Sequence, residues 1–347
     1  MPKPHVRKIL FWIFTLGCVA ATGAYVQWRL HPAPVEGGTP MVDQADPAVT
    51  ATLEASRRDP HLIFLSRRPD AFGRITLAKL STVNDQTVLA GPDCERGHFG
   101  KDVGLCLSVN DESMQPRAFA MILDRGFKTL AKLPLAGLPI RARVSADQRY
   151  AAATVFVTGE SYAGDFATRT TIIDLSTKQE IAELEQFTVE KDGKAFKAVD
   201  FNFWGVTFFP ADSNRFYATL GTSGQRWLVE GDIARRHFRV VHADVECPSL
   251  SPDARHLVFK RQIKGSSGWQ LWALELASKR EWPITSDGQD VDDQVEWLDN
   301  SHVIYGLLFG TGAPETSLSV WVSDISPESQ LEQKLFVHAA SSPSVVR

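Results

Sequence analysis

The stretch from Ser251 to Thr285, SPDARHLVFKRQIKGSSGWQLWALELASKREWPIT, decides how this chain folds. Ser251-Pro252-Asp253 predicts a tight reversal, because proline presets its φ and the aspartate can accept hydrogen bonds from the backbone just ahead of it. His256 to Lys260 then reads as a strand and Gly265 to Gly268 as a turn. Gln270 to Leu276 reads as a second strand, and the charged turn at Lys279 and Arg280 leads into a third. Short apolar runs bounded by Gly, Pro, Asp and Ser are the mark of strands joined by tight turns.

Degraded copies of this unit recur. Asp147 precedes AAATVFV, Asp212 precedes RFYATL, Asp253 precedes HLVFK and Asp299 precedes HVIYG. The turn aspartates are about 65, 41 and 46 residues apart, and the first gap carries the insertions GESYAGDFATR and EKDGKAF. After each turn a second strand carries a large side chain: Ile172, Trp227, Trp272 and Trp321. Two looser units run from about Pro60 to Leu89 and from about Cys94 to Leu135. Six units with four strand signals each, at a period of about 40–50 residues, predict an all-β, six-bladed propeller over residues 59–347. Asp147, Asp212, Asp253 and Asp299 are expected to be structural turn residues, and the 9 Trp and 20 Phe to fill the gaps between twisted sheets. The segment IAELEQF (181–187) fits either a helical turn or an outer strand.

The unit SPDARHLVFKRQ…GWQLWALELASKREWPITSDGQDVDDQVEW resembles the WD40-like (PD40) repeat of TolB-like propellers. In that repeat a Ser-Pro-Asp-Gly turn is followed by a strand, a Gln-Leu-Trp strand and a Thr-Asp-Gly connector. Ala254 stands where the repeat has glycine, and Leu298-Asp299-Asn300 departs from the next turn. The likeness is strong over residues 246–309 and weak before residue 140. It implies a six-bladed ring in the cell envelope, and binding or scaffolding rather than catalysis.

The amino terminus points to the same location. Lys3, Arg7 and Lys8 precede the uncharged run Ile9 to Trp28, ILFWIFTLGCVAATGAYVQW. A basic segment followed by an apolar one is an export signal. About 20 residues is also enough to span a bilayer as a helix, with the basic end inside. Residues 1–28 are therefore read as a signal peptide or signal-anchor helix, with the uncleaved anchor favoured. Residues 29–58, rich in Pro, Gly and Ala, are read as a flexible linker. An extracytoplasmic, membrane-anchored monomer follows, or a secreted one if the leader is cleaved. Cys94 and Cys106 bracket CERGHFGKDVGLC and are expected to form a disulfide outside the cytoplasm; the alternative is two thiols on neighbouring strands. Cys247 is left over as a small buried hydrophobe.

Charge excludes one class of partner. With 37 basic and 41 acidic side chains the formal net is −4, without the basic excess of nucleic-acid binders. No His-Glu-x-x-His, phosphate loop or dinucleotide fingerprint occurs. Gly221-Thr222-Ser223-Gly224 and Gly265-Ser266-Ser267-Gly268 lack the spacing of a nucleophile elbow. The acidic run Asp287 to Asp293 lacks the spacing of a calcium loop. Glu160, Asp165, Asp200 and Glu246 could point toward a channel mouth, and the sequence establishes no pairing among them. No cofactor, metal or catalytic residue is assigned. The expectation is a non-enzymatic envelope module that contacts a protein or peptide through propeller loops. The alternative is a glycan or small-ligand propeller, possibly a hydrolase using channel carboxylates.

Overall fold

The computed structural model describes residues 58–347 except 111–116, 160–164, 264, 266–267, 287–290, 292–293, 309–317 and 330, together with Thr15, Gly17 and Glu54. The leader and linker readings fall almost wholly outside the described residues, as do Glu160 and most of the acidic run 287–293. Among the described residues no helix is long and apolar enough to cross a membrane.

The described residues form six sheets, each containing a blade of four antiparallel strands, a to d from axis to rim. Blade 2 is Arg96–Phe99, Val103–Asn110, Arg117–Asp124 and Thr129–Leu135. Blade 3 is Leu138–Val144, Tyr150–Thr158, Ala167–Asp174 and Gln179–Glu183. Blade 4 is Asn202–Phe209, Asp212–Thr222, Gln225–Asp232 and His237–Ala243. Blade 5 is Glu246–Leu250, His256–Gln262, Trp269–Glu275 and Glu281–Pro283, and blade 6 is Glu296–Trp297, His302–Leu308, Leu318–Asp324 and Gln333–Val337. The described residues from 58 onward form an all-β, six-bladed propeller.

Blade 1 is composite. The unit from Pro60 to Leu89 supplies only strands b to d: His61–Ser66, Ile75–Lys79 and Thr82–Val88. Its a strand is Ala340–Val346, from the other end of the fold, paired antiparallel with His61–Ser66 from His61↔Val346 to Ser66↔Ala340. Blade 4 carries an addition that the repeat does not. The insertion EKDGKAF forms a hairpin, Thr188–Lys191 with Lys194–Phe196, laid parallel on the blade's outer strand. Between blades 3 and 4, the segment 181–187 ends strand d and then makes a short 3₁₀ turn, Leu184–Gln186.

The apolar core lies between blades rather than within them. Each of the six hydrophobic clusters draws on two neighbouring blades. One joins Tyr150 and Ile172 of blade 3 to Phe203, Phe216 and Phe238 of blade 4. Another joins Leu62 and Phe64 of blade 1 to Ile304 and Val320 of blade 6, closing the ring. Phe203 stacks on Phe238 at 4.6 Å between ring centroids. Trp227, Trp272 and Trp321 are half-buried against three of these clusters. Where the inner strands of blades 4 and 5 meet, Gly205 has φ +66° and a Cβ there would lie 2.6 Å from the Cα of Cys247. Cys94 and Cys106 form a disulfide that ties the approach to strand a of blade 2 to its strand b. Cys247 is buried.

The turns between strands a and b use the side-chain chemistry their sequence implies. Asp253 accepts hydrogen bonds from Ser251 Oγ at 2.6 Å and the Arg255 N–H at 3.1 Å, while the Ser251 carbonyl accepts the Ala254 N–H at 2.9 Å. Asp147 repeats the pattern with Ser145 Oγ at 2.7 Å and the Arg149 N–H at 3.1 Å. Asp299 accepts the N–H groups of Ser301 and His302, and Asp212 that of Asn214. In both of the first two turns the fourth residue is left-handed: Ala254 at φ 56° and Gln148 at φ 58°. Left-handed backbone disfavours any residue with a Cβ. The Ala254→Gly variant is expected to gain about 0.5–1 kcal/mol, the relief of that strain less the entropy glycine adds to the unfolded chain. Urea unfolding at equilibrium measures it.

A second expectation concerns Glu185 in the 3₁₀ turn. Its carboxylate accepts the Thr170 N–H of blade 3 with both oxygens at 3.1 Å. Burial pushes its pKa up to about 7, against the pull of backbone N–H groups of Thr170 and of Phe203 in blade 4. The folded chain thus holds a proton that the unfolded chain releases. The contribution is full below the ordinary carboxylate range and is lost as pH rises through about 7. The Glu185→Gln variant should therefore show a flatter dependence of melting temperature on pH between about 5 and 8 than the parent chain. Calorimetry across that range tests it.

Candidate functional site in the axial channel

Strand side chains alternate between faces. In the inner strands this places Arg96 and His98, and Arg141 and Arg143, toward the axis, where Gln294 and Glu296 at the start of blade 6 meet them. These inner strands are short and close together, so the pairs from different blades meet. The result is a polar axis inside an apolar ring.

Arg143 is the centre of one cluster. One guanidinium nitrogen donates to Glu296 Oε2 at 2.5 Å, and the other to the Val295 carbonyl at 2.9 Å and Ser249 Oγ at 3.3 Å. It thus ties blade 3 to blades 5 and 6. His98 of blade 2 completes the cluster. Its Nδ1 accepts the Val144 N–H at 3.1 Å, so in the neutral ring the proton sits on Nε2, which faces Glu296 Oε2 at 3.3 Å. A second proton on the ring would face the Val144 N–H, so this geometry keeps the imidazole neutral. Burial, the first cause, and the Arg143 charge hold its pKa below the ordinary value against the pull of Glu296. For Glu296 burial alone would raise the carboxyl. The His98 hydrogen bond and the Arg143 charge overcome it and hold the group below the usual range.

Above this cluster the channel opens into a cavity of about 380 Å³. Its walls include Phe99, Phe208, Leu250, Trp297 and Val346, and its rim includes Lys101, Gln148 and Arg347. The a–b turns of blades 2 to 5 surround the mouth. They are stitched to one another: Asp147 accepts from Ser213 Oγ of blade 4 at 2.6 Å, and Gln148 Oε1 accepts the Asp102 N–H of blade 2 at 2.6 Å. Asp147 and Asp253 therefore support the mouth, through their turns, rather than line it.

A second cluster lies toward the start of the inner strands. Glu246 is 1% exposed and pairs in register with Lys260, itself 1% exposed. Arg226 Nε lies 3.4 Å from Glu246 Oε2. Burial pushes this carboxyl up against the attraction of Lys260, Arg226 and Arg141. Of the other carboxylates placed near a mouth by sequence, Asp165 is exposed. Asp200 caps a hairpin of blade 4 through Thr222 Oγ1 and the Ser223 N–H. Sequence reasoning missed His98, Arg143 and Glu296. The signal that finds two of them is charge at alternate positions in a short apolar strand ahead of a turn: Arg96-Gly97-His98 and Arg141-Ala142-Arg143.

Among the described residues, Glu296 and Glu246 are each approached by cations, and the two lie in separate clusters. Among the described residues no group of three His, Cys, Asp or Glu side chains could hold a metal ion. Gly221 to Gly224 is a hairpin turn of blade 4 whose Thr222 and Ser223 are taken up by Asp200.

Solved structures share this architecture. TolB from Acinetobacter baumannii superposes with a TM-score of 0.53 at 13% identity, over 83% of this chain and 67% of that one. The fold is that of the TolB propeller. A chain in the nidogen/laminin complex aligns with a TM-score of 0.52 at 11% identity, over 82% of this chain and 98% of that one. An oligogalacturonate lyase in complex with manganese aligns more weakly, with a TM-score of 0.48 at 12% identity over 76% of each chain. No protein-family model and no curated protein matches the sequence. At such identities the likeness is one of fold, and fold does not carry function with it.

The Arg143 cluster has a measurable weight. Removing one partner of a buried ion pair leaves the other charge uncompensated, at a cost of about 3–5 kcal/mol. Arg143→Met should lose stability of that order in urea unfolding, and Arg143→Met with Glu296→Gln should recover part of it.

Proposed function

We propose that this chain is a non-catalytic binding module of the cell envelope, and that it receives a protein or peptide segment at the mouth ringed by the a–b turns. The observation that carries the reading is the pairing inside the channel. Glu296 is engaged by Arg143 and His98, and Glu246 by Arg226 and its cationic neighbours. Acid–base hydrolysis of a glycosidic bond uses two carboxyl groups facing one bond, whereas these two belong to separate clusters. What remains is a concave mouth with apolar walls and a cationic rim on a rigid ring, the arrangement on which loops carry recognition. The Cys94–Cys106 disulfide fits an oxidising compartment, in line with an exported, tethered chain. TolB-type and nidogen-type architecture supports protein partners without naming one.

The full-length chain, cross-linked in envelope extracts, should join its partner through Lys101 at the rim. Lys101→Glu should weaken that capture by roughly tenfold, while Lys334→Glu, on the outer strand of blade 6, should leave it unchanged. The competing reading is a glycan- or small-ligand-binding propeller or a hydrolase. It prevails if the purified chain turns over a glycan or peptide library and Glu296→Gln or Glu246→Gln abolishes turnover in a protein that still folds.

A further inference from the structure

The outer strand of blade 3, Gln179–Glu183, is shorter than the strand it covers. It pairs with strand c only from Asp174↔Gln179 to Thr171↔Glu183, so the N–H groups of Thr170 and Thr168 lie beyond its end. Side chains close that gap. Asn202 Oδ1 accepts the Thr168 N–H at 2.8 Å, and both carboxylate oxygens of Glu185 accept the Thr170 N–H. The Thr168 and Thr170 hydroxyls donate to the Phe203 carbonyl, and the Phe203 N–H bonds Glu185. The 3₁₀ turn Leu184–Gln186 thus stands in for the missing length of strand and ties blade 3 to the inner strand of blade 4. Leu184 and Phe187, on either side, are buried in the cluster the two blades share. The added hairpin begins at the next residue, Thr188.

This seam gives the carboxylate no counter-charge. Among the described residues no ion pair reaches Glu185. Arg169 of strand c faces Glu183 at 3.8 Å, Arg236 of blade 4 donates to the Ile181 carbonyl, and His237 bonds Thr188. The inner strand Asn202–Phe209 carries no ionisable side chain, and Asp200 just before it is taken up by Thr222 and Ser223. The charge that acts on Glu185 is the like charge of Glu183. A carboxylate without a cation is solvated better by water than by an interior seam, so losing its proton favours a turn that moves outward.

We propose that the turn Leu184–Gln186 is a proton-operated latch: with Glu185 protonated it seals blades 3 and 4 at the root of the added hairpin, and with Glu185 ionised it opens to water. Opening is local, because the a–b turns and the other seams do not depend on this group. The inference is independent of the partner proposed for the mouth, and its test reads backbone protection rather than binding.

Hydrogen–deuterium exchange of the full-length chain is followed at pH 6 and pH 8, with labelling times scaled for the intrinsic pH dependence of exchange. Protection of the Thr170, Phe187 and Phe203 amides should fall roughly tenfold between the two. That factor follows by linkage from a carboxyl that titrates near 4.5 when open and near 7 when closed. The a–b turn of blade 5, Ser251 to His256, should keep its protection. Glu185→Gln should remove the difference at the seam. If that variant fails to fold, the parent chain decides, since its seam protection must fall with the slope of a single proton. Equal scaled protection at the two pH values overturns the proposal. So does a loss spread evenly over all six blades, or one that persists in Glu185→Gln.

Discussion

A propeller is stable only as a closed ring, because each blade buries its faces on its neighbours and has little core of its own. Closure here rests on the pairing of Ala340–Val346 with His61–Ser66. Without it, Leu62, Phe64, Ile304 and Val320 would face water across an open seam between blades 6 and 1. Non-polar surface of that extent is the largest favourable term available to an all-β ring. The cost is non-local contact, since the last strand must return to pair with the first.

Closure also explains the polar axis. Six inner strands converge on one axis, where Arg96, His98, Arg141, Arg143 and Gln294 come together. This chain fills it with two charged clusters and hydrogen bonds between blades. Phe99 N–H to Ser344 Oγ links blades 2 and 1, and Gln294 Nε2 to the Val206 carbonyl links blades 6 and 4. Trp297 Nε1 to the Ser249 carbonyl links blades 6 and 5. Polar groups buried in this way must be satisfied, and when they are they specify one arrangement of the ring. The apolar clusters supply adhesion between blades, and the axis sets their register.

The same arrangement separates the roles of the two ends of the channel. Near the start of the inner strands the charges of Glu246, Lys260 and Arg226 are sunk into the wall. At the other end the channel widens between turns braced by hydrogen bonds of their own and to neighbouring turns, with Lys101 exposed at the rim. Recognition by such a surface needs no movement of the ring. The architecture shared with TolB and with a chain of the nidogen/laminin complex is a likeness of fold alone.

Much of the fold was legible in the chain because it depends on local rules. Turn aspartates followed by short apolar strands repeat along the chain, and Asp147, Asp253 and Asp299 close their reversals through the backbone immediately beside them. The two cysteines bridged by the disulfide are also near in sequence. The site was not legible in the same way. His98, Arg143 and Glu296 lie 45 and 153 residues apart, and meet only because three inner strands converge. Nor could the sequence show that the first unit lacks its inner strand, since Ala340–Val346 is the partner of a segment almost 280 residues earlier. The amino-acid sequence by itself determined turns, strands and repeat number, all set by neighbouring residues. Which charges face one another, which ends join and where the channel opens were decided only when the ring closed, because those contacts depend on strand convergence rather than on adjacency in the chain.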